Sequence, residues 1–423
     1  LPTVLVIGQQ HGNEPAGGEA ALALASVLSG PRASLLDRVN VLIVPRANPD
    51  GAERFARATE SGVDVNRDHL LLQTPEAQAL AAVMRRERPQ VVLDLHEFTV
   101  GGRWIDKFGA GERYDALLQT AAVGNLDSRL AATAEREFAT PVREALAAAG
   151  LTTFAYHTAS TDAADKVVSM GGVQPDTGRN VSGLRPAISM LIEVRGVGIG
   201  RAHFLRRVHT QVVAGLTVIE RAAALGPAVD QAIRQAGTDI AAAACSGDLI
   251  VEARHSQGRQ SMVFLDPKTG ADVRLDVDWR AASPLEVVRA RPRPCGYLLR
   301  ADQRDARERL AALGARLTPV TSAATWHVED YRLTEGAGAQ RQDARGAIED
   351  GQPIRVFSVA LESHEATVEP GSFYVGLDQP IAALIAAALE PDSQNSYAAN
   401  HLMEVTDRQL RRVVAPPPAS AIR

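Results

Sequence analysis

The chain has 423 residues, is 45% hydrophobic and carries a net charge of -5. It can bury a sizeable core and exceeds one average domain, so two domains are expected. The basic residues are scattered and nearly all arginine, with lysine only at 107, 166 and 268, and no basic stripe marks a nucleic-acid or membrane surface.

In chain order, an apolar run predicts a strand over 3–8, and Pro15 opens a helix to Leu28 that Gly30-Pro31 stops. Val41–Val44 reads as a second strand, Pro75 to about Arg86 as a helix, 91–95 as a third strand, and Ile188–Val194 as a fourth, buried one. Between them, residues 100–185 read as long loops with interspersed helix, a candidate wall over a site. Helical patterns follow over Phe204–Leu225 and from Pro227 to about Ala244. This alternation implies an α/β fold with a mixed, mainly parallel central sheet flanked by helices.

A boundary is expected near Cys245–Asp248, dividing a catalytic domain, 1–245, from a smaller α+β domain, 246–423, of unassigned role. Its strand-like runs are 249–251, 262–264, 273–277, 316–320, 326–333 and 354–360, and its helices 302–313 and Pro380–Leu389. Gly336–Gln352 reads as a mobile loop, and Pro416–Pro418 as the start of a disordered tail. Cys245 and Cys295 could form one disulfide or stay separate thiols. No apolar run approaches the roughly 18 residues of a membrane span. The chain starts at Leu1, not Met; a processed terminus would imply a periplasmic or secreted protein, otherwise a cytoplasmic one.

Chemistry concentrates where strands end. The first strand empties into His11-Gly12-Asn13-Glu14 and the third ends on His96, and in open α/β sheets ligands gather outside such carboxyl ends. Two histidines and a glutamate form an attested zinc set that leaves a fourth position for water. His11 and Glu14 taken alone are a weak signal, because the pattern arises often by chance.

Further segments strengthen it: Asn48-Pro49-Asp50-Gly51, then Arg54 and Arg57, then Gly62-Val63-Asp64-Val65-Asn66-Arg67, Asp94-Leu95-His96, and Ile192-Glu193-Val194-Arg195-Gly196. With these, over roughly residues 1–220, the chain resembles the zinc carboxypeptidases of the carboxypeptidase A superfamily. The segment Pro370–Pro380 also looks like the tail of bacterial members.

The resemblance implies one zinc ion on His11, Glu14 and His96, with Glu193 as general base for a zinc-activated water. Arg57 would stabilise the oxyanion, Arg54 being its competitor, and Asn66 with Arg67 would grip the terminal carboxylate of a peptide or peptide-like substrate. Asp64 matches the carboxylate that orients His11, although a turn aspartate making local backbone bonds reads equally well. One departure stands out: Val173–Met190 has no tyrosine where the digestive enzymes carry one, and Tyr156 is too far upstream to match. Arg179 and Asn180 occupy that region and could contact substrate or hold the loop. Glu97, next to His96, could reach the pocket and favour a basic or amino-bearing substrate, although an adjacent strand residue points to the other face and more often does nothing.

The expected activity is hydrolysis of a peptide's C-terminal amide bond. One alternative is an N-acyl amino acid deacylase of the aspartoacylase and succinylglutamate desuccinylase type, which shares the His11 and Glu14 pair and the segment Asp64 to Arg67. Another is an inactive protein that only recognises carboxylates.

Overall fold

The structure is a computed structural model describing residues 1–348, 353–405 and 408–422. In chain order its first strands are β1 (Thr3–Gly8), β2 (Asn40–Val44), β3 (Val91–Thr99), β4 (Ala116–Thr120), β5 (Thr153–Ala155), β6 (His157–Ala159), β7 (Val167–Met170) and β8 (Ile188–Val197). Then come β9 (Asp248–Leu265), β10 (Asp272–Pro292), β11 (Gly296–Leu299), β12 (Thr318–Pro319), β13 (Ala324–Glu335), β14 (Phe357–Val368), β15 (Phe373–Gly376) and β16 (Leu410–Val413).

The central sheet runs β2-β1-β3-β8-β4-β5, and every pairing is parallel except β4 against β8. Alternate residues feed opposite layers, as the two-residue period of a strand requires. Val4, Val6, Leu93 and Leu95 pack under the helices Pro15–Leu28 and Phe204–Ala242, while Leu5, Ile7 and Val92 meet Leu80 and Met84 of the helix Pro75–Glu87. With both faces covered, the strands open on apolar runs and carry their polar residues mainly toward their carboxyl ends, which explains their legibility as short hydrophobic runs.

Several expectations need correction. Residues 100–185 are not mainly loop: Ala116–Thr120 joins the central sheet, and β6 and β7 join a four-stranded sheet of order β6-β7-β10-β9. The three short runs expected over 249–277 belong to one long antiparallel hairpin, β9 with β10, whose polar outward residues obscured its length. The two helices expected around Pro227 are a single helix, Phe204–Ala242. A proline removes one backbone bond, and packing of this helix along the sheet outweighs that loss.

By length and composition this continuous helix could cross a membrane, contrary to the expected lack of any such stretch. A core helix passes the same test, and Ala214, Val218 and Ala222 of this one lie buried against the sheet.

The remaining sheet has order β12-β15-β11-β16-β13-β14. The expected tail is tied back by a bridge from Ile422 to Val320, with Ala421 buried and its carbonyl accepting the Thr321 N–H at 2.8 Å. Of the expected loop 336–352, residues 349–352 lie outside the described residues. The rest carries bridges from Ala339 to Ile354 and from Gln342 to Ala347. Cys245 and Cys295 form a disulfide that joins the end of the long helix to the start of β11.

Candidate active site

The central sheet brings three donors together just beyond the end of β1. Register places Gly8 beside Leu95 and His96 beside Glu193, so the turn after β1 overhangs the neighbouring strands where these side chains emerge. That turn is held tightly: a Cβ on Gly12 would come within 1.9 Å of the Gly51 carbonyl carbon, so only glycine lets it pass the Asn48–Gly51 turn. The Glu14 N–H donates to the His11 carbonyl at 3.1 Å, and Pro15 then starts the helix.

His11, Glu14 and His96 are 3%, 2% and 0% exposed. Nδ1 of His11 lies 2.8 Å from Glu14 Oε1, Nδ1 of His96 lies 2.9 Å from Glu14 Oε2, and the two Nδ1 atoms are 3.0 Å apart. Two ring nitrogens facing one another beside a carboxylate cannot all be satisfied by one proton. A cation between them can satisfy all three, so the donor set fits one zinc ion.

The outer nitrogens are fixed by carboxylates. Nε2 of His11 lies 3.1 Å from Asp64 Oδ1, and Nε2 of His96 lies 2.9 Å from Asp94 Oδ1. Asp94 is itself held by Gln10 Nε2 at 2.7 Å. Each contact leaves Nδ1 turned toward the shared centre, where a metal could take it. Asp64 Oδ1 also accepts the Asn66 N–H at 2.9 Å in a tight turn. Burial would raise the Glu14 carboxyl, but His11 and His96 outweigh it and hold the group well below the usual carboxylate range. Burial likewise opposes a charged His96, yet Asp94 and Glu14 together raise its pKa well above the ordinary value.

Glu193 lines the pocket beside these donors, buried, and its carboxylate makes no hydrogen bond to any described residue. Burial first, then the charge of Glu14, raises its pKa. Arg57 reaches the same pocket, with Nε 3.0 Å and Nη2 2.9 Å from Asp64 Oδ2 and Nη1 3.5 Å from Glu14 Oε1. Arg54 does not line the pocket; it stands 3.9 Å from the exposed Glu60.

Asn66 accepts the Gly178 N–H at 2.8 Å and sets its Nδ2 3.3 Å from His96 Nε2. Arg67 lines the pocket and donates from Nη2 to Asp343 Oδ2 at 2.7 Å. Arg179 is 3% exposed and lines the pocket, with Gly172 O at 2.8 Å and Asn180 Oδ1 at 3.4 Å as its partners. Burial pushes this guanidinium down to about 10. Asn180 does the loop-holding, donating to the carbonyls of Gly172 at 2.9 Å and Gln174 at 2.8 Å.

Tyr156, set aside in the sequence as too far upstream, lines the pocket, as do Arg103, Asp343 and Arg345, which no motif singled out. Tyr156, between β5 and β6, stands over Gly171, where a Cβ would lie 2.7 Å from its ring. Burial, then the Glu193 charge, raises its hydroxyl pKa. Asp94 was also missed, although its place two residues before His96 puts both on one strand face. Glu97 is taken by Arg207, whose Nε lies 2.7 Å from Oε1, and by the Ala16 N–H at 3.3 Å.

Residues 1–101 match the family described as zinc carboxypeptidase. "Carboxypeptidase 2" of Trichophyton rubrum is 27% identical over 406 residues, covering 94% of this chain and 73% of that protein. "Carboxypeptidase SOL1" of Arabidopsis thaliana is 32% identical over 123 residues, 25% of this chain and 24% of that protein. Among solved structures, the succinylglutamate desuccinylase of Chromobacterium violaceum matches with a TM-score of 0.32 at 18% identity, over 52% of this chain and 62% of that one.

Proposed function

We propose, on the premise that this chain belongs to the zinc carboxypeptidase family, that Glu193 is the general base with which it removes the C-terminal residue of a peptide. The chain is a zinc metallocarboxypeptidase, a hydrolase of peptide bonds. His11, Glu14 and His96 hold the metal, with Asp64 and Asp94 orienting the two imidazoles. Bound zinc supplies a Lewis acid that polarises the scissile carbonyl and lowers the pKa of water toward neutrality.

Glu193 then takes a proton from the attacking water and passes it to the departing nitrogen. Its burial and its freedom from other hydrogen bonds suit that exchange. Arg57 donates toward the carbonyl oxygen as negative charge develops, a contribution of about 3–4 kcal/mol in comparable sites. Asn66 and Arg67 hold the terminal carboxylate, and a planar guanidinium suits that ligand because it offers two parallel hydrogen bonds. Arg179 and Tyr156 line the same cavity and contact the terminal residue.

The observation that carries the reading is the cross-strand pairing of His96 with Glu193, which puts a carboxylate free of side-chain hydrogen bonds beside the three donors. The test is Glu193→Gln in zinc-loaded protein. Zinc content should stay at one ion per chain while kcat on a peptide falls by about 10²- to 10⁴-fold. Unchanged turnover would refute the role. Turnover of N-acyl amino acids but of no peptide would favour the deacylase reading instead.

A further inference from the structure

We propose that Asp343, carried by the C-terminal half of the chain, is a positioning residue for the arginine that grips the substrate's carboxylate. The inference rests on Arg67 having that role, as proposed above.

Arg67 has five N–H donors. Asp343 Oδ2 takes the side edge, from Nη2 at 2.7 Å and Nε at 3.3 Å, and the Asn66 carbonyl takes one Nη1 hydrogen at 2.7 Å. One hydrogen on Nη1 and one on Nη2 are left. These two are left to meet a carboxylate where Arg67 lines the pocket, and a guanidinium whose side edge is already held offers its end to such a ligand.

Asp343 is built in. Its Oδ1 accepts the backbone N–H groups of Arg345 at 2.7 Å and Gly346 at 3.2 Å, and its Oδ2 also accepts from Arg345 Nη2 at 3.0 Å. The segment is tied to the N-terminal half on either side: Arg341 Nη1 donates to the Arg67 carbonyl at 2.9 Å, and the Thr161 N–H to the Arg345 carbonyl at 2.8 Å. A carboxylate fixed this way is a poor mobile plug and a good anchor.

Charge points the same way. Arg67 and Arg345 share one aspartate, so the trio keeps one net positive charge, matched to one substrate carboxylate. Without Asp343 the two guanidiniums repel, and Arg67 is drawn toward Asp64 and Asp176, the other carboxylates whose charges act on it.

The experiment uses the full, zinc-loaded chain and a peptide with a free terminal carboxylate. Asp343→Asn keeps the size and the backbone contacts; it should raise KM about 10- to 100-fold while kcat changes less than about threefold. Asp343→Glu, which keeps the charge, should bring KM back to within a few-fold of the original. In an Arg67→Ala background, Asp343→Asn should add nothing further, because the two residues act as one unit. An unchanged KM overturns the proposal, as does a lowered one, which would mark Asp343 as a competitor for the clamp. A full additional effect in the Arg67→Ala background would reduce Asp343 to a structural pin. If the unaltered chain cleaves no peptide, the peptidase reading itself fails, a result distinct from cleavage with an unchanged KM.

Discussion

At the scale of the residue, the zinc centre depends on the groups behind its ligands. His96 can offer Nδ1 because Asp94 holds Nε2 at 2.9 Å, and Asp94 is braced by Gln10, which also meets His69 Nε2 at 2.7 Å. Asp94→Asn keeps the shape but weakens the charge that fixes the ring. Zinc affinity should fall by about 10- to 100-fold, read by competition with a chelating dye. An affinity equal to that of the unaltered chain would show that Asp94 does not orient the ligand. The three donors were legible as a group because His11, Glu14 and His96 sit beside strand ends that sequence periodicity reveals. Asp94 was legible in principle, being on the same face of the same strand. Tyr156, Arg103, Asp343 and Arg345 carried no local signal, since only tertiary packing brings their segments to the pocket.

At the scale of the element, the buried parallel strands announced themselves, while the half-exposed hairpins did not. Strands covered on both faces are apolar over most of their length, whereas β9 and β10 are largely exposed or half-buried with few buried positions and read as fragments. The long helix was misread for a similar reason. Local propensity treats Pro227 as a stop, but the sheet beneath and Pro2, which lies 2.9 Å from where a Cβ on Gly226 would stand, support the helix on both sides of it. At its far end the Cys245–Cys295 disulfide closes a loop of sequence separation 50. Closing a loop of that length stabilises the fold by up to about 4 kcal/mol in the chain-entropy account. Replacing both cysteines by serine should therefore lower the urea midpoint clearly, and a midpoint equal to that of the oxidised chain would show that the link contributes little.

At the scale of the molecule, the expected boundary near residue 245 divides the sequence more cleanly than the structure. β7 pairs with β10 across it, and one hydrophobic core joins Leu70, Leu71, Val181 and Leu184 to Tyr297, Leu299, Leu377 and Leu384. The pocket is shared as well, with Asp343 and Arg345 completing a wall around residues of the N-terminal half. The C-terminal half thus supplies part of the pocket wall, a placement that no motif in its sequence announces. Specificity for the chain end should then arise from Arg67 as the two halves present it together.

That claim is tested most directly with two peptides of one sequence, one ending in a free carboxylate and the other in an amide, incubated with the zinc-loaded chain and followed by mass spectrometry. The expected result is stepwise loss of single residues from the free-carboxylate peptide, abolished by a zinc chelator and restored by zinc, with the amide left intact or cleaved at least about 100-fold more slowly. Equal cleavage of both peptides, or cuts at internal bonds, would contradict a carboxylate-gripping zinc exopeptidase.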